Sequence, residues 1–184
     1  MKKLVASLLT LAIIFTLGGC SSTESSPPAA SSSRVETDPK VLAESTDATI
    51  YAAVKGGETV MNQLKEYFSG FGSTYTSDDI VAYCKSETST IEDYRTQLRE
   101  VPEQEKSEEY RAAADDFLLN IEAALICMKD FIEDGDTEKG EHAVGCFEMY
   151  NNYVLSYTAA RYDYLADAGF TTEEITAITE GENE

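Results

Sequence analysis

Four stretches of the chain repeat apolar residues at alternating spacings of four and three, the pattern of a helix that buries one face. The first passes through Ile50, Val54, Gly57, Met61, Leu64, Phe68 and Phe71, and the second through Ile80, Cys84, Glu87, Ile91, Tyr94, Leu98 and Val101. The third holds Tyr110, Ala114, Phe117, Ile121, Ala124, Met128 and Phe131; the fourth holds Ala143, Phe147, Tyr150, Val154, Tyr157, Arg161 and Tyr164. One such stripe is weak, but four in succession separated by breakers predict helices. Gly70, Gly72, Ser73 and Thr76-Ser77 end the first and cap the second, with Asp78 and Asp79 beside its positive end. Pro102 closes the second, and Ser107 with Glu108-Glu109 opens the third. Gly135 and Asp136-Thr137 supply a stop and the next N-cap. Gly169 stops the fourth, and Thr171-Thr172-Glu173-Glu174 has the capping-box pattern of a short terminal helix.

Connections this short force sequential helices to lie antiparallel. The expected fold is therefore all-α, an up-down-up-down antiparallel four-helix bundle with a short C-terminal helix, over residues 47–184. Three stripe positions do not suit a core. Gly56-Gly57 in mid-helix costs about 1 kcal/mol per glycine against alanine, which points to a kink or a close approach. Glu87 belongs at the stripe edge with its carboxylate in water. Arg161 needs a carboxylate, and Glu108, Glu109 and Asp115 are the expected partners by level along the bundle.

The N-terminus has a different pattern. Lys2 and Lys3 precede a mostly apolar run from Leu4 to Leu17, 14 residues long, against the roughly 20 of a membrane span. It closes on Leu17-Gly18-Gly19-Cys20, which resembles the lipobox of bacterial lipoproteins. The resemblance implies that residues 1–19 are a signal peptide. It also implies that Cys20 becomes the first residue, carrying a thioether-linked diacylglycerol and often an N-acyl chain such as palmitate, a stable anchor when two or more chains are present. The expected address is the extracytoplasmic face of the cell membrane. After Cys20, a stretch rich in Ser, Pro and Ala has no large apolar residue up to Ser33 and cannot offset the entropy of ordering. Residues 20–46 read as a tether, with an r.m.s. reach of roughly 30 Å.

Charge narrows the partners. The chain carries 34 acidic and 14 basic residues, a net charge of −20, and removal of residues 1–19 takes away two lysines and no acid. That field opposes nucleic acid and anionic lipid surfaces and favours a cationic protein or peptide. Three cysteines accompany Cys20. Cys127 and Cys146 stand nearly level across the expected hairpin turn near Asp136 and are the first disulfide candidate; Cys84 with Cys127 is the rival pairing. An oxidising compartment would permit either.

Among residues with chemistry to offer, Tyr150, Tyr153, Tyr157, Tyr162 and Tyr164 crowd the last long helix. They read as core packing or, alternatively, as an aromatic partner surface suited to a cation. His142 lies four residues from both Glu138 and Cys146 but lacks the further groups that a nucleophile or zinc site requires. Asp134-Gly135-Asp136-Thr137-Glu138 imitates the start of a calcium loop, yet Lys139 and Gly145 occupy the positions of the essential glycine and bidentate glutamate. No phosphate loop or nucleophile elbow occurs. The expectation is a non-catalytic binding module without cofactor or metal. The alternative is a small-ligand or metal receptor with its pocket inside the bundle around Gly56-Gly57.

Overall fold

The computed structural model describes residues 38–104 and 106–181; Cys20, the expected signal peptide and the tether as far as residue 37 lie outside them. The described helices are α1 (Pro39–Ser69), α2 (Ser77–Glu100), α3 (Ser107–Asp134), α4 (Thr137–Asp167) and α5 (Thr172–Gly181). The first four form the antiparallel four-helix bundle, and α5 folds back against α4. α3 is the hub, packed along α2 and α4 and reaching α1, whereas α1 and α4 touch only sparsely and, among the described residues, α2 and α4 do not meet. The apolar stripes face inward: Ile50, Met61 and Leu64 from α1, Ile80 and Ile91 from α2, and Phe117, Ile121 and Met128 from α3 are all inaccessible to solvent.

The ends follow from local chemistry. The Thr76 hydroxyl accepts from the Asp79 amide, and the Asp79 carboxylate accepts from the Thr76 amide, so each satisfies an orphan donor of α2. Gly135 takes a left-handed φ of 70° to stop α3, and Asp136 Oδ1 accepts from the amides of Glu138 and Lys139 to open α4. Thr171 and Glu174 form the same reciprocal box at the start of α5.

One boundary needs correction. α1 begins at Pro39, not at residue 47, so the helical domain takes in the last part of the span expected to be tether. Asp38 Oδ1 caps the Lys40 amide at 2.9 Å, and Pro39 sits in the first turn, where no amide donor is required. Ala43 and Thr46 are buried although neither offers a large apolar side chain.

The glycine pair also finds its reason. A Cβ on Gly57 would lie 2.5 Å from Leu118 Cδ2 of α3, and one on Gly56 would lie 2.4 Å from the Tyr94 ring of α2. Gly56-Gly57 thus makes room on α1 for side chains of α2 and α3. The space immediately beside the pair is taken by the side chains of Tyr94, Leu118, Ile121 and Phe117.

Candidate functional site

At the end of the bundle where α1 begins, three helices contribute polar groups to the interior. Arg161 on α4 pairs with Asp47 on α1 through two parallel bonds, Nε to Oδ1 at 2.8 Å and Nη2 to Oδ2 at 2.7 Å. The two residues are 5 % and 3 % exposed, so the pair is desolvated and held by its geometry. The expected partners Glu108, Glu109 and Asp115 are therefore corrected to Asp47. Asp115 instead takes Arg95 of α2, which also reaches Glu122 at 2.5 Å.

The tyrosines complete this network. Tyr110 Oη donates to Asp47 Oδ1 at 2.8 Å and lies 3.3 Å from Tyr157 Oη. Burial holds the Tyr110 hydroxyl far above its ordinary range, so it stays a donor to the carboxylate. Tyr164 stacks on Tyr110 at 5.3 Å between centroids and donates to Gln104 Oε1 at 2.7 Å. Gln104, in the α2–α3 connection, donates to Thr46 and so returns to α1. The Arg161 guanidinium carbon lies 4.2 Å from the centroid of Tyr51.

The five tyrosines accordingly do not form one exposed strip. Tyr157 and Tyr164 are buried, while Tyr150 and Tyr153 are half-buried against the core. Lys65 Nζ already occupies the ring face of Tyr150 at 4.0 Å. Tyr162 is exposed at 43 %, with its hydroxyl 3.1 Å from Thr172 Oγ1. Beside it, between α1, α4 and α5, lies a recess of about 320 Å³ lined by Tyr51, Lys55, Glu58, Tyr157 and Ile175, among others. Its charges are matched internally, Lys55 to Glu58 at 3.1 Å and Arg161 to Asp47.

Cys84, Cys127 and Cys146 are all thiols in the structure. Burial pushes Cys84 up to about 12. Burial also raises Cys127 and Cys146, and the nearness of Cys127 adds to the effect at Cys146, as expected of two residues facing across the α3–α4 hairpin. Asn120 of α3 donates to the Cys146 carbonyl at 3.1 Å and fixes the register there. His142 is exposed. Among the described residues, no group of three His, Cys, Asp or Glu is placed to hold a metal ion, and no helix is long and apolar enough to cross a membrane.

Carboxylates outnumber cations, and several of the cations are spent locally. Lys40 pairs with Glu174, Lys85 with Glu133, Lys106 with Asp167 and Lys129 with Asp130, each at 3.1 Å or less. The fold defines an acidic all-α bundle. No family model matches the chain, and neither the curated proteins nor the solved structures contain a match.

Proposed function

We propose that the protein is a lipid-anchored, extracytoplasmic, non-catalytic binding module for a cationic partner in the cell envelope. The observation that carries the partner's charge is the allocation of ions. Lys40, Lys85, Lys106, Lys129 and Arg161 are committed to carboxylates of the same chain, and the excess of 34 acids over 14 bases is left to the surroundings. Such a surface speeds encounters with positive partners and turns away negative ones. The anchor rests on the lipobox resemblance at Leu17-Gly18-Gly19-Cys20. The non-catalytic reading draws on the thiols, which burial makes poorer nucleophiles. It draws also on the ion pair, whose groups are closed in upon one another.

Two measurements test this reading. Cys20→Ala should abolish globomycin-sensitive processing and release the chain from membranes; unchanged retention overturns the anchor. Immobilised protein should retain basic envelope proteins at low salt and lose them as salt rises through 0.15 M, where screening shortens to about 8 Å. Absence of retention at low salt overturns the cationic partner.

A further inference from the structure

We propose that the groove at the end of the bundle opposite the Asp47–Arg161 pair receives a single amphipathic basic helix of a partner protein. The inference rests on the cationic-partner reading and gives it a site. The groove lies between the C-terminal turns of α1 and α3 and the first half of α4, and encloses about 430 Å³. Phe68, Phe131 and Val144 line it, with Glu141 and Glu148 on its α4 side. Phe68 is 36 % exposed and Val144 38 % exposed, so large apolar side chains stand open where the rest of α1 closes its stripe. Phe68 is backed by Phe147 at 5.9 Å between ring centroids, which fixes that wall.

The groove face of α4 reads Thr137, Glu141, Val144 and Glu148, spaced by four, three and four. A helix laid alongside would meet apolar surface centrally and carboxylates flanking it. That arrangement suits leucine-like anchors at i, i+3, i+4 and i+7 with lysine or arginine on the flanks.

Two glycines of α4 line the same groove, and only one has an internal use. A Cβ on Gly140 would lie 2.9 Å from the Phe131 ring, so that glycine lets α3 pack across α4. A Cβ on Gly145 would meet nothing within 4 Å. Mid-helix glycine is unfavourable against alanine, and no contact within the chain uses the missing side chain. A partner helix would use it, because bare backbone permits close helix approach. A second copy of this chain is disfavoured as occupant, since it brings the same acidic flank and the same negative surplus. An anionic lipid surface is disfavoured on the same ground.

The test titrates a labelled leucine/lysine peptide of amphipathic helical pattern against the full chain held in phosphatidylcholine vesicles, with protein-free vesicles as the blank. A shuffled peptide of identical composition and plain oligolysine run beside it. The amphipathic peptide should bind at least tenfold more tightly than the shuffled one. Gly145→Leu, whose Cβ enters open space, should weaken it at least tenfold while its helical circular dichroism stays that of wild type. Glu141→Gln with Glu148→Gln should weaken it several-fold and flatten its salt dependence. Equal binding to wild type and Gly145→Leu overturns the groove, as does equal binding of amphipathic and shuffled peptides. If oligolysine still binds in a salt-sensitive way, the cationic-partner reading survives that failure. If no basic peptide binds at low salt, both fall.

Discussion

At the end where the chain enters α1, Asp47, Arg161, Tyr110, Tyr157 and Tyr164 are closed in by helix and bound mainly to one another. At the other end Phe68, Phe131 and Val144 lie along an open groove, and Gly145 bares its backbone beside them. The first end hides polar groups and satisfies them; the second leaves apolar groups in water. Buried polar groups with good partners hold helices in register, and leaving one unpaired is costly. Apolar surface left open gains nothing until something covers it. The ion-pair end holds α1 against α4, and the groove end is the one proposed to meet a partner. The groove lies at the end of the bundle away from the start of α1.

The largest way to break the comparison is Arg161→Met. It leaves the Asp47 carboxylate buried without its cation and should cost about 3–5 kcal/mol by urea denaturation, while Asp47→Leu with Arg161→Met should recover most of the loss. A variant within 1 kcal/mol of wild type would mean that the pair is wetter than its 3 % and 5 % exposures indicate. Near the groove end, an oxidising compartment of the kind proposed for this protein should join Cys127 to Cys146. The closed loop is worth about 3 kcal/mol, and three alkylatable thiols in unreduced protein would contradict it.

The glycines give a smaller and sharper pair of tests. Gly57→Ala should destabilise by roughly 1–3 kcal/mol, because its Cβ would press on Leu118. Gly145→Ala should stabilise by about 1 kcal/mol, because its Cβ meets nothing. Opposite signs for the same chemical change would confirm that one glycine serves the fold and the other does not. Alkali should act in between. Cys84 is raised by burial from about 9 to about 12, so its stabilising effect is complete below about 9 and is lost as pH rises toward 12. The loss should be on the order of 2 kcal/mol near pH 10.5, about 1.5 pH units above the unfolded value at roughly 1.4 kcal/mol per unit. Cys84→Ala should lessen that dependence in urea midpoints taken at pH 8 and pH 10.5.

Helix number, order and most ends were legible because each is written in neighbouring letters. Gly135 followed by Asp136 is a stop and a cap, and Thr171 with Glu174 is a box. The start of α1 was missed although Asp38-Pro39 is itself a start signal, because the turns that follow bury Ala43 and Thr46 rather than large apolar residues. Asp47 could have been found by running the first stripe back three residues from Ile50, yet nothing local ties it to Arg161, 114 positions away. The tyrosines were ambiguous for a related reason. A helical period tells which face they share but not whether that face meets protein or water, and the structure buries Tyr157 and Tyr164. The groove was not legible at all. It is made by the ends of three helices, and the openness around Gly145 is a property of what the fold leaves empty.

The central claim, that an anchored acidic bundle meets a basic partner at its groove end, is tested most directly by photo-crosslinking in intact cells. A photoreactive amino acid is placed at position 144 in one strain and at position 162 in another. The account predicts a discrete adduct with a basic polypeptide from position 144, abolished by Gly145→Leu, and none from position 162. An adduct from position 162 alone, or no adduct from either, would contradict it.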